Sequence, residues 1–267
     1  EKMLNCTDNL IISGFIGVAT VGRYANYSMI TQAIINILTI LANTIQPTIG
    51  DYFTEKNYRR NYEILRQITF VFFGISSVVA VGLFSLITPF VRDIWLGPSY
   101  ELGWGTAVLC IGVLMVRIMG LPLNMVMGVT GLFEKEKNVG ASSAILNLVV
   151  SLALVKPYGM TGVLLGTLVS YLLQICYRYI IFFRDFLQMR EEALRYARDL
   201  GEYLAVMAAE VALMQKVVPI VYGNGGMVLF CICFLLCILV PLALDAVFFG
   251  RGWRLQSIVR MVRGMRR

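Results

Sequence analysis

Long apolar runs alternate with short polar loops along this chain, and the alternation leaves few folds open. A hydrocarbon core about 30 Å thick is crossed by about 20 helical residues. One partial and seven full helices of this kind are expected, the partial one at about 3–16 and the full ones at about 21–50, 66–91, 102–132, 139–155, 160–183, 201–218 and 226–249. Of the 267 residues, 58% are hydrophobic and only 15% are charged, whereas soluble domains carry about 25% charged residues. The expected fold class is an all-α polytopic membrane protein.

The loops alternate in charge. One set is basic: 51–65, 134–138, 184–199 and the tail from Gly250; with Arg66 it holds sixteen Lys and Arg. The other set is nearly neutral and holds four: Arg23, Arg92, Lys156 and Lys216. The positive-inside rule therefore predicts a cytoplasmic basic set and a cytoplasmic C-terminus. Because the charge sits in short loops between apolar runs, the net +7 is not read as a nucleic-acid footprint. The chain has no histidine, which removes the commonest acid–base group and metal ligand. Its six cysteines (Cys6, Cys110, Cys176, Cys231, Cys233 and Cys237) lie in apolar stretches without CxxC spacing and read as small packing residues. No metal, no cofactor and no catalytic constellation is expected.

The run from Leu102 to Lys137 carries Arg117 fifteen residues after Leu102 and sixteen before Phe133, near the bilayer midplane. A charge at that depth faces the bundle interior or water, and it suggests a substrate or ion path. A structural ion pair is the competing reading. Thr106, Cys110, Val113, Arg117, Gly120, Asn124, Gly128 and Gly131 share one helix face, and Pro122 can kink the helix beside the charge. On the second helix Ser28, Gln32, Asn36, Thr39, Asn43, Gln46 and Gly50 step by three or four. Such a polar stripe lines a wet cavity or bonds to neighbouring helices. Asp8, eight residues before Ile16, also lies near mid-depth. It is a candidate counter-ion for Arg117 or a coupling carboxylate, unless it bonds locally to Asn5 or Thr7.

Other polar groups are sparser. Ser143, Asn147 and Ser151 step by four, as do Ser170, Gln174 and Arg178, while Gly162, Gly166 and Ser170 form a small-residue seam that suits helix packing. The turn KPYG at 156–159 joins two of the helices. DFLQMREEALRYARDL at 185–200 reads as an amphipathic in-plane or connecting helix. Of the last two spans, one holds Glu210 at mid-depth and the other Asp245 lower down. The tail RGWRLQSIVRMVRGMRR reads as an anchor on anionic lipid. Met3 to Ile16 is too short to span, and the chain begins at Glu1 without a signal-peptide pattern. The expectation is a fragment whose N-terminus cuts into a helix.

Four stretches carry a family resemblance: TDNLIISGFIGVATVGRYANY at 7–27, QPTIGDY at 46–52, TPFVRDIWLGPSY at 88–100, and GLFEKEKNVGASSAILNLVVSLALVKPYGMTGVLLGTLVS at 131–170. In order and spacing they resemble the C-terminal half of bacterial polysaccharide-repeat flippases of the Wzx type. These belong to the multidrug/oligosaccharidyl-lipid/polysaccharide exporter superfamily. The resemblance covers about residues 5–183. It implies a six-helix transporter lobe over 1–184 with its first helix truncated, a cytoplasmic connector at 185–200, two additional helices at 201–249 and a basic cytoplasmic tail at 250–267.

The resemblance further implies a multi-pass protein of the bacterial cytoplasmic membrane. Its function would be to flip a polyprenyl-pyrophosphate-linked oligosaccharide by alternating access, against an N-terminal lobe absent from these residues. Arg117 would meet the pyrophosphate; Asn124, Gln32, Asn36 and Asn43 would meet sugar hydroxyls; Asp8 would couple an ion or balance the charge. The partners implied are the lipid-linked oligosaccharide, membrane lipids and that missing lobe. Three alternatives stay open at this point: a membrane polysaccharide polymerase or ligase, a drug/cation antiporter of the same superfamily, and an inactive fragment.

Overall fold

A computed structural model describes residues 11–53, 57–187, 190–223 and 225–250. Asp8, Cys6 and the basic tail from 251 lie outside them. Seven long helices are present: α1 (Val18–Phe53), α2 (Tyr58–Pro89), α3 (Trp104–Val129), α4 (Phe133–Tyr158), α5 (Met160–Ile181), α6 (Arg190–Tyr222) and α7 (Met227–Phe249). All seven are long and apolar enough to cross a membrane, and the chain is a multi-pass membrane protein. Two helices continue into short π-helical ends, Phe90–Trp95 after α2 and Phe182–Leu187 after α5.

The helices fall into two compact units. The first comprises residues 1–57 and 100–190 and holds α1, α3, α4 and α5; the second comprises 58–99 and 191–267 and holds α2, α6 and α7. Residues 58–99 thus gather with the two C-terminal spans, although they lie between α1 and α3 in sequence.

In the first unit, small and hydroxylated residues decide how closely helices approach. The turn between α4 and α5 is a single residue, Gly159, at φ 58°, a left-handed conformation in which a side chain is strained. Its N–H donates to the Val155 carbonyl at 2.8 Å. The two helices then run together along the seam. A β-carbon on Gly162 would collide with the Leu154 carbonyl, and one on Gly166 with the Ser151 hydroxyl. Ser143, Asn147 and Ser151 are fully buried on the facing side of α4. The Asn147 side-chain amide donates to Thr167 Oγ1 at 2.9 Å, and the Ser151 hydroxyl donates to the Val163 carbonyl at 3.3 Å. Lipid offers such groups no partner, so these two bonds between helices hold α4 on α5.

The second unit is held by narrow stripes. On α6 the buried residues are Tyr196, Asp199, Tyr203, Met207, Glu210, Met214, Val218 and Tyr222, each three or four positions after the last. On α7 they are Cys233, Cys237, Pro241, Asp245 and Phe249, all four apart. Most other side chains of α7 are exposed, as suits a helix with lipid on its remaining faces. Phe73 stacks on Tyr203 with ring centroids 4.5 Å apart and meets Phe249 edge-on at 5.6 Å.

The stretch expected as an in-plane or connecting helix, 185–200, is shared by two elements: 182–187 complete the π-helical end of α5, and 190–200 are the first residues of α6. REEALRYARDL is rich in strong helix formers. Arg198 pairs with Glu202 one turn on at 3.3 Å. The segment is also tied to α2, where Arg66 meets Asp199 at 2.6 Å and the Thr69 and Tyr196 hydroxyls lie 3.0 Å apart. Those anchors hold it against α2.

The seam makes a test. Gly166→Leu should overpack α4 against α5 and destabilise the first unit by about 1–3 kcal/mol or more. It would be read as a lower melting temperature and less monodisperse protein in detergent. Gly112→Ala on α3, where a β-carbon meets open space, should leave both unchanged.

Candidate functional site

The face of α3 that carries Arg117 is turned into the first unit. Ile111, Leu114 and Ile118 beside it are buried, which fixes the rotation of the helix. Gly120, one turn on, lets α5 come close: a β-carbon there would sit 3.0 Å from Ile175 Cδ1. Arg117 itself is half-buried, and its guanidinium carbon lies 5.4 Å from the centroid of the Tyr171 ring on α5. A ring face favours a cation there and confines the long side chain without neutralising it.

Arg117 lies between two cavities. The first is a narrow cleft between α3 and α5, with room for about 20 Å³ of water, and is lined by Arg117, Gly120, Leu121, Asn124, Tyr171, Gln174, Ile175 and Arg178. It therefore brings two guanidinium groups, two carboxamides and a tyrosine to one cleft. Arg178, at its far end, is bonded to Glu136 of α4 at 2.6 Å. The second cavity is a cleft of similar size among α1, α3 and α5, and its walls are Tyr24, Ser28, Thr31, Gln32, Cys110, Val113, Leu114, Arg117, Leu164 and Thr167. A cationic side chain facing two partly polar clefts is chemically suited to an anion that carries a polar extension. Planar guanidinium groups donate paired, charge-assisted hydrogen bonds to phosphate or carboxylate oxygens. Carboxamides donate to and accept from hydroxyls.

The sequence-expected site residues divide. Arg117 and Asn124 line the first cavity, and Arg117 and Gln32 line the second. Asn36 and Asn43 line neither and are exposed on α1. The reason is rotational. The buried face of α1 is Tyr24, Tyr27, Thr31, Ile35, Leu38, Ala42 and Ile49. The polar stripe is set about one residue, or about 100° of turn, away from it. Its Ser28 and Gln32 end lines the second cavity, and Gly50 at the other end faces Val129 of α3. Asp8 lies outside the described residues. Tyr171, Thr167 and Tyr24 were not singled out from the sequence. Tyr171 lies one position after Ser170, on the flank of a stripe noted for its polar residues, and an aromatic in an apolar span carries no signal of its own.

Solvent access to the two clefts is measurable. In a background without native cysteines, Asn124→Cys and Gln32→Cys should react with a membrane-impermeant, water-borne maleimide. Ile118→Cys, at a position with no exposed surface, should react at least about tenfold more slowly. Equal rates at all three positions would mean that the clefts are dry. Neither the family models nor the curated proteins compared with this chain match it.

Proposed function

We propose that this chain is one lobe of a membrane flippase for a polyprenyl-pyrophosphate-linked oligosaccharide in surface polysaccharide biosynthesis, a transporter and not an enzyme. The observation that carries the reading is the position of Arg117. It is a half-buried cation in the middle of a spanning helix, between two clefts lined by Asn124, Gln174, Gln32 and Ser28. In this reading Arg117 grips the pyrophosphate, and the carboxamides meet sugar hydroxyls. The four sequence stretches that resemble the Wzx-type flippases support the same substrate class.

The proposal includes a second lobe opposite α1. Asn36 and Asn43 are exposed on a helix that is long and apolar enough to span, and an amide there gains from water or from another polar wall. Asp8 would serve as coupling carboxylate or counter-ion. The basic loops support a place in the bacterial cytoplasmic membrane with the C-terminus in the cytoplasm.

The test is Arg117→Ala in cells whose surface glycan depends on this chain. Losing charge-assisted hydrogen bonds to phosphate costs about 1.5–3 kcal/mol, or roughly ten- to hundredfold in affinity. Surface glycan should fall sharply while the inserted amount of protein stays the same. Arg117→Lys should restore export only in part, because an ammonium lacks the fork. Normal surface glycan in the Ala variant would sink the role of Arg117.

A further inference from the structure

The second unit buries two carboxyl groups that the flippase reading does not use. Glu210 on α6 is 1% exposed and Asp245 on α7 is 9% exposed. Both lie on the inner stripes of helices long and apolar enough to span. They come to the same patch of α2. The Ser77 hydroxyl donates to Glu210 Oε2. Gly74, one turn earlier on α2, faces Asp245: a β-carbon there would meet Asp245 Oδ2 at 4.0 Å and nothing else. Gly74 and Ser77 are three residues apart, about 4.5 Å of helix rise, so both acids face one turn of α2.

Three oxygens at this patch are left open. Glu210 Oε1 and both carboxyl oxygens of Asp245 are buried and have no hydrogen-bond partner among the described residues. The basic side chains of the three helices are occupied or turned away. Arg66 is bonded to Asp199, Arg198 to Glu202, and Lys216 is exposed; α7 has no basic residue. The neighbouring polar groups do not supply a charge either. Ser76 donates to Met207 Sδ at 3.9 Å, and Tyr203 stacks on Phe73. Two ionised carboxylates left like this in hydrocarbon would cost several kcal/mol each. Something positive must neutralise them.

We propose that Glu210, Asp245 and Ser77 form an exchangeable monovalent-cation site in the second unit, taking up two positive charges as protons or as a proton and a sodium ion. All its donors are oxygens, which suits a hard cation. The open face at Gly74 leaves room beside Asp245. Because the acids come from different helices and meet on a third, loading and unloading the site changes the force between α6 and α7. A cation held here would link its own binding to the packing of the unit. Nothing in this assignment depends on a glycan substrate.

The test uses the full chain in lipid nanodiscs and infrared difference spectra of the protonated carboxyl band, recorded as pH is raised from about 5 to 9. The wild type should lose the band within that range. In Glu210→Gln and in Asp245→Asn the remaining acid has no negative neighbour, so its midpoint should fall by about one pH unit or more. Ser77→Ala removes the donor that favours ionised Glu210, keeps both acids, and should raise the midpoint. Replacing choline by sodium separates the two cations. A lower midpoint in sodium assigns a sodium site, and no change assigns a proton site. A band that stays constant across the range and ignores sodium would overturn the proposal. So would single variants whose remaining midpoints match the wild type.

Discussion

A peptide group in hydrocarbon has no water to bond to, so a spanning segment must satisfy its amides and carbonyls within itself. That constraint makes every span of this chain a helix before any side chain is considered, and it hands the side chains a different task. They decide which faces meet. Here they do so with two contrasting materials. The first unit relies on small residues and short hydroxyls, with Gly162 and Gly166 letting α4 and α5 approach so closely that Ser151 and Asn147 reach across. The second unit relies on aromatic rings and isolated polar links between otherwise apolar helices.

The same constraint explains why mid-span polar side chains carry so much of the chain's character. Arg117 is tolerated because α3 presents it to clefts and to the face of Tyr171, not to lipid. Arg117 lines two partly polar clefts, where an anion would be bound more strongly than in bulk water. Glu210 and Asp245 are the acidic counterpart on other helices.

Much of this was legible in the sequence, and what was not has physical causes. The spans announced themselves by apolar length, and the depth of Arg117 followed from counting residues. The helix ends did not, because a helix continues past the apolar run whenever its polar end finds partners. Tyr196 and Asp199 do this at the start of α6, where the charge run alone suggested an interfacial segment. The stripe on α1 was read correctly as one face, but periodicity gives no absolute rotation. Asn36 and Asn43 therefore flank the buried face instead of joining it. The gathering of residues 58–99 with the last two helices could not be read at all, since chain order says nothing about which helices meet.

The links between α2 and α6 have a mechanical consequence. Arg66 holds Asp199, and eleven residues further along both helices Ser77 holds Glu210. The offset between partners is 133 positions in both cases, so the helices run parallel and in register. The two links stand about 16 Å apart along the axes at 1.5 Å of rise per residue. Two rivets at that spacing forbid sliding by a turn and forbid scissoring, because either motion would break one link or both. The pair is tied at two levels along its length, and α7, packed closely along α2, is carried with it.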